Sequence, residues 1–138
     1  MSILITGATG FVGKNFIRMM LKSGYESKDM ILVVSKPDQA LETAGFRLLV
    51  HKNYTYSSEE LKALLKPAER IDTVIHLGAL TPKGTGSDET ADYEENVRTT
   101  KHLLETLPED LDRFLFGSSV SVYNMDESTT DGRYGASK

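Results

Sequence analysis

Ile3-Leu4-Ile5-Thr6-Gly7-Ala8-Thr9-Gly10-Phe11-Val12-Gly13 is the stretch whose reading decides the fold. A short apolar run enters three glycines spaced three apart. Val12, Phe16, Ile17, Met20 and Leu21 then recur at helical spacing, so the order read is strand, tight turn, helix. Gly7 suits a sharp exit from the strand, Gly10 a close approach of backbone to a phosphate, and Gly13 close packing of helix on sheet. The helix N-terminus beyond offers unpaired N–H groups and a partial positive charge to an anion. In that context the glycine pattern reads as a pyrophosphate cradle and hence a dinucleotide site, with Gly7, Thr9, Gly10, Phe11, Val12 and Gly13 as its candidate residues.

Outward from the cradle, Gly24 is a C-cap, and Met30 to Val34 is the continuous apolar run of a parallel strand covered on both faces. Dinucleotide folds place an acidic residue for the ribose hydroxyls just after this strand. Here the position is Ser35, followed by Lys36, a pair able to hold a 2′-phosphate, which tilts the expectation toward NADP over NAD; Asp38 remains within reach of the ribose. Asp38 to Ala44 reads as a short helix closed by Gly45, Arg47 to Val50 as a third strand, and Ser57 with Glu60 as a capping box opening a helix that ends at Pro67.

Asp72 to Ala79 is a fourth strand ending in small residues. Leu77, Gly78 and Ala79 would then sit at a ligand-facing carboxyl end, with room for the flat groups of a cofactor. His76 is expected in the core beside the first strand with a hydrogen bond to satisfy it. Thr81 to Ser87 reads as a loop, and Asp88 to Leu107 as the longest helix, burying Tyr93, Val97, Thr100, Leu104 and Leu107. Asn96 inside it is a poor helix former, which points to a task beyond propensity. Arg113 to Ser118 is a fifth strand. Alternating strands and helices imply a doubly wound parallel sheet of order 3-2-1-4-5, with the site above strands one and four.

Composition narrows the functions. The 138 residues, 39% of them hydrophobic, suit one domain with one core. A net charge of -4 with scattered Lys and Arg leaves no basic stripe, which argues against nucleic acid or an anionic membrane and for a small-molecule substrate. The absence of cysteine excludes a disulfide framework and a thiolate metal site, and no metal is expected. The first residues lack a basic, signal-length apolar segment, and no later run reaches membrane-spanning length, so a cytoplasmic location is expected.

Five stretches, in order, resemble the extended short-chain dehydrogenase/reductase family, which includes NAD-dependent epimerases, dehydratases and reductases. Thr6 to Gly13 is similar to its cofactor turn and Asp72 to Ala79 to its fourth strand. Asn96-Val97 resembles its helix asparagine, Ser118 to Tyr123 its active-site strand end, and Tyr134-Gly135-Ala136-Ser137-Lys138 its Tyr-x-x-x-Lys motif. The resemblance implies a nicotinamide dinucleotide, NAD or NADP, bound also by Asn96, Tyr134 and Lys138, and a hydroxyl or carbonyl substrate such as a nucleotide sugar. It implies that Tyr134 exchanges the proton, that Lys138 favours phenolate and holds the nicotinamide ribose, and that Ser119 bonds the reacting oxygen, with Ser118 and Ser121 as alternatives.

The loop from Tyr123 to Tyr134 is shorter than is usual in the family, and the chain ends at the catalytic lysine. The expectation is an amino-terminal cofactor-binding portion, residues 1–138, without the substrate-binding region and with little turnover of its own. Five residues from Tyr134 are too few to hold a helix in isolation. The alternative is a non-catalytic NAD(P)-binding sensor or interaction module. An unpaired edge at the fifth strand makes a homodimer or a partner a further expectation.

Overall fold

The computed structural model describes residues 2–51, 57–64, 66, 67, 69–80, 90–123 and 134–138, the side chains of 90–92 excepted. The expected loop Thr81 to Ser87, the helix start at Asp88 and Glu89, and residues 124–133 of the loop before Tyr134 lie outside them. Five strands, β1 (Ser2–Thr6), β2 (Met30–Val34), β3 (Arg47–Val50), β4 (Ile71–His76) and β5 (Arg113–Phe116), form one parallel sheet of order β3-β2-β1-β4-β5. Among the described residues four α-helices connect or flank them: α1 (Phe11–Lys22), α2 (Gln39–Thr43), α3 (Ser58–Ala63) and α4 (Thr90–Thr106). This is the Rossmann-like doubly wound sheet that the alternation of elements implies.

Every residue of β1 and β2 is buried, because both faces of the central sheet are covered. On one face Ile3, Ile5, Leu32, Val34 and Ile75 pack with Ile17 and Met20 of α1. On the other Leu4, Ile31, Val33, Leu49 and Val74 pack with Leu61 of α3 and Leu103 of α4. Local signals set the helix limits. After α1 the Tyr25 N–H reaches the Met20 carbonyl and the Gly24 N–H that of Leu21, a Schellman turn made by Gly24 at φ +90. The Ser57 and Glu60 capping box opens α3 as expected, but α3 ends at Ala63, short of Pro67.

Two helix faces differ from their periodicity. In α1 the buried residues are Gly13, Ile17 and Met20, whereas Val12 is 62% exposed and Leu21 is exposed too. A Cβ at Gly13 would lie 2.2 Å from the Gly7 carbonyl oxygen, so the helix is pressed against the turn at that residue and the contact face is centred there. In α4 the buried side chains are Tyr93, Asn96, Thr99 and Leu103, while Val97 and Leu104 face outward and Thr100 and Leu107 are half-buried. Asn96 and Thr100 turn inward to meet polar groups at the end of β4, and that rotation carries Val97 and Leu104 out.

The amino ends of the strands are tied by charge. The Arg47 guanidinium pairs with Glu69 at 2.9 Å, and Ser2 bonds both. Burial presses the Glu69 carboxyl upward, but the Lys66 N–H, the Ser2 hydroxyl and Arg47 together outweigh it and bring it down to about 2. β5 is an edge strand with Arg113, Leu115 and Phe116 exposed. Among the described residues no helix is long and apolar enough to cross a membrane.

The rotated face of α4 has a measurable consequence. Leu103→Ala should cost about 2–5 kcal/mol in urea unfolding, whereas Leu104→Ala, one residue on, should change stability by about 0.5 kcal/mol or less. The reverse ranking would restore the helix face expected from periodicity.

Candidate functional site

The cradle is built by exclusion of side chains. Gly7 leaves β1 at φ +68, and a Cβ there would stand 2.6 Å from the Gly78 nitrogen and 2.7 Å from the Leu77 carbonyl carbon. Gly10 is the N-cap of α1, its N–H bonded to the Gly7 carbonyl at 3.0 Å, and it offers the helix no side-chain cap. The first turn of α1 carries no acidic residue. The helix start therefore faces outward with its partial positive charge unanswered by a side chain. Gly10 differs from its two neighbours in the pattern, since a Cβ on it would meet only the Gly7 oxygen, at 3.3 Å, and its φ of -74 is open to any residue. The fold constrains this position less than it does Gly7 or Gly13, and the missing side chain leaves room for a pyrophosphate to lie against the turn.

A cleft of about 410 Å³ opens over the turn. Of the expected cofactor residues, Gly7, Thr9, Gly10, Ser35, Leu77, Gly78, Ala79 and Asn96 line it. Phe11 and Val12 are exposed at the start of α1, Gly13 is buried beneath the turn, and Lys36 is exposed; none of these four lines the cleft. Asp38 is engaged elsewhere: its Oδ1 accepts the Ala40 and Leu41 N–H groups as the N-cap of α2, so the ribose role considered for it is not what its carboxylate does here. Val33, Val34, His51, Leu80, Glu95 and Thr99 complete the lining and were not foreseen. His51 directly follows β3, and a polar residue at the carboxyl end of a parallel strand is the signal that could have found it.

Under the floor lies His76, 1% exposed, with both ring nitrogens engaged. Nδ1 is 2.5 Å from Thr6 Oγ1 and Nε2 is 2.8 Å from Thr100 Oγ1. The Thr100 hydroxyl donates to the Asn96 carbonyl at 2.9 Å, so it must accept from His76 Nε2–H. Thr6 Oγ1 accepts the Gly78 N–H at 3.0 Å and donates to Nδ1. The relay runs Gly78, Thr6, His76, Thr100, Asn96 and fixes a neutral Nε2–H imidazole. Burial, and secondarily the charge of Lys138, pull its pKa down to about 4. The core placement expected for His76 is what the structure shows.

Asn96 extends the relay to the Tyr134-to-Lys138 turn. Its Oδ1 accepts the Leu80 N–H at 2.6 Å, and its Nδ2 donates to the Leu80 carbonyl at 2.9 Å and to Ser137 Oγ at 3.3 Å. Ser137 Oγ donates in turn to the Tyr134 carbonyl at 2.8 Å. Residues 134–138 hold a helical turn, with Ser137 N–H on the Tyr134 carbonyl and Lys138 N–H on that of Gly135. A Cβ at Gly135 would lie 2.1 Å from the Ser121 oxygen. The turn that is too short to stand in isolation is held by these tertiary contacts.

The three expected catalytic residues lie outside the cleft lining. Ser119 Oγ accepts the Ser121 N–H and donates to Ser121 Oγ, both at 3.2 Å, at the start of the 3-10 turn Val120–Tyr123; Ser118 is exposed and Ser121 buried. The Tyr134 ring lies 5.8 Å from that of Tyr93, and burial pushes its phenol above the ordinary range. Lys138 Nζ sits 5.1 Å from the centre of the Phe116 ring, and burial lowers its pKa. Among the described residues no group of three or more His, Asp or Glu is placed to hold a metal.

The neutral imidazole makes stability depend on pH. The folded pKa of about 4 lies below the ordinary 6.5, so the unfolded chain binds the extra proton. Stability is full above pH 6.5 and falls through the window down to about 4, by roughly 3 kcal/mol at its lower end. Denaturant titrations between pH 7 and 5.5, above the window that opens where Glu69 protonates in the unfolded chain, should show the start of this slope, and His76→Gln should flatten it while lowering stability at pH 7.

With this geometry in view, the comparisons with known proteins fall into place. The NAD dependent epimerase/dehydratase family model matches residues 3–138. A UDP-glucose 4-epimerase of Erwinia amylovora is 30% identical over the whole chain, which covers 45% of that protein. A dTDP-D-glucose 4,6-dehydratase of Dictyostelium discoideum is 32% identical over 88% of the chain, covering 29% of its own length. Among solved structures, MoeE5 in complex with UDP-glucose and NAD is 26% identical, with a TM-score of 0.68, over 99% of this chain and 45% of that one. The chain thus spans less than half the length of these relatives. A cradle in which backbone excludes side chains at Gly7 and Gly13, a small-residue end to β4 and a family match across nearly every residue agree: the chain belongs to the NAD-dependent epimerase/dehydratase family.

Proposed function

We propose that this chain is the dinucleotide-binding portion of an NAD(P)-dependent epimerase, dehydratase or reductase acting on a nucleotide sugar or a related hydroxyl or carbonyl compound. The observation that carries the reading is Gly10, where the protein leaves space at the helix start that its own packing does not need filled. The Gly7 to Gly10 turn and the N-terminus of α1 would hold the pyrophosphate, Ser35 the adenosine ribose, and Leu77 to Leu80 the floor. When bound, the dinucleotide supplies the hydride acceptor and donor.

The proton is the chain's own task. Tyr134, raised by burial, holds its proton at neutral pH and is set to give it to an oxygen. For Tyr134 to accept one instead, the Lys138 ammonium has to leave the Phe116 ring and approach the phenol, which would lower its pKa. Ser119 would orient the reacting oxygen. Ser35 in place of an acidic residue, with Lys36 beside it, would admit a 2′-phosphate and tilts the reading slightly toward NADP, although MoeE5, named above, was solved with NAD. The substrate region lies in the part of the relatives that this chain does not span, and a homodimer formed over the β5 edge belongs to the same proposal.

The test is calorimetric titration with NAD and NADP. Binding of either is expected, and binding of neither would overturn the reading. Gly10→Ala should weaken binding about tenfold or more at a stability cost of about 1 kcal/mol or less, whereas Gly13→Ala should cost about 2–3 kcal/mol because its Cβ meets backbone at 2.2 Å. Equal effects of the two on stability would remove the argument from Gly10.

A further inference from the structure

Tyr134 and Lys138 share one helical turn, four residues apart, a spacing that sets their side chains on one face within reach of each other. Each turns to a different ring instead. Tyr134 lies against Tyr93 of α4, with ring centres 5.8 Å apart, and Lys138 Nζ stands over Phe116 of β5, 5.1 Å from the ring centre. Phe116 is a fixed platform for that ammonium. It is paired with His76 across the β4–β5 ladder, their rings lie 5.5 Å apart, and His76 is tied at both nitrogens to Thr6 and Thr100. Phe116 ends an edge strand and is 37% exposed, so part of an aromatic face is left for the cation to cover. The charges agree with this arrangement: that of Lys138 is felt at the His76 imidazole, whereas the Tyr134 phenol is raised by burial.

We infer that Phe116 is a positioning residue for Lys138, its ring holding the ammonium by a cation–π contact apart from the Tyr134 phenol. The inference rests on the proton-handling roles proposed for Tyr134 and Lys138, and goes beyond them by naming the side chain that decides whether the two act on each other. An ammonium is drawn to the negative face of an aromatic ring, and the attraction grows where water is partly excluded, as it is at the half-buried Lys138. While the contact lasts, the charge stays off the phenol and Tyr134 keeps its proton. Once released, the ammonium needs only the flexibility of its own stem to reach the phenol one turn back, where its charge favours phenolate. Phe116→Leu keeps an apolar side chain against His76 but removes the π-face, and Phe116→Tyr retains it.

Two measurements on the intact chain test this. With isotope-labelled lysine, the NMR signal of the Lys138 ε-methylene, identified by its loss in Lys138→Met, should be displaced upfield by the ring current of Phe116. The displacement should vanish in Phe116→Leu and persist in Phe116→Tyr. Nitration of Tyr134 by tetranitromethane at about pH 8, followed by mass spectrometry, reads the phenolate fraction. The rate should rise about fivefold or more in Phe116→Leu, stay near the wild-type value in Phe116→Tyr, and show no rise when Phe116→Leu is combined with Lys138→Met. A rise that persists without Lys138 reports exposure of the Tyr134 ring and overturns the inference, as does an unchanged rate in Phe116→Leu. If Phe116→Leu does not fold, the wild-type signal decides: displaced upfield it supports the contact, and at the position of the exposed lysines it overturns it. Neither measurement uses a dinucleotide. Failure of NAD and NADP to bind the same chain would remove the dinucleotide reading, an outcome distinct from failure at Phe116.

Discussion

A buried imidazole with both nitrogens engaged holds the carboxyl end of β4 to β1 on one side and to α4 on the other. Remove that double bond and the parts of the site lose their common reference. Thr6 Oγ1 receives the Gly78 N–H and hands its own proton to His76, while Thr100 takes the imidazole proton and hands its own to Asn96. Each hydroxyl serves once as donor and once as acceptor, so the direction of the whole chain is set by the Thr100 bond to the Asn96 carbonyl. The low dielectric that makes an unpaired polar group costly here is also what makes the satisfied relay rigid.

The relay divides the molecule into two kinds of site chemistry. Above β1 and β2 the cradle is backbone, shaped by what glycine lacks, and its ligand would be held by N–H groups and a helix dipole. Beside β4 and β5 the side chains take over: Asn96 grips Leu80 and Ser137, and Ser137 reaches the Tyr134 carbonyl. The two regions meet at Gly78, whose N–H enters the relay and whose backbone lies against Gly7. A ligand that presses on the floor of the cleft therefore presses on the same residues that place the Tyr134 turn.

Much of this was legible in the residues, and the parts that were not have physical reasons. Strands β2 and β3 match their expected limits because continuous apolar runs in a doubly covered sheet leave little freedom of register. The glycine turn was legible because its spacing reports steric exclusion directly. The inward faces of α1 and α4 were misjudged because periodicity assigns burial by polarity. At Gly13 the decisive contact is made by an absent side chain, and at Asn96 and Thr100 polar groups are buried against polar partners from distant strands. Asp38 looked available for a ribose until its N-cap bonds were seen. His51 was missed because its one signal, a polar residue directly after an apolar strand, gains meaning only when the neighbouring strand end is known to open into the cleft.

The double grip on Leu80 has a consequence for the floor of the cleft. A side-chain amide that bonds both the N–H and the C=O of one residue does what a neighbouring strand would do, so Asn96 serves as a one-residue extension of the sheet beyond its last backbone pair. The frame then reaches past His76 to Leu80. A ligand resting on Leu77 to Leu80 would therefore rest on residues tied to α4 as firmly as to the sheet.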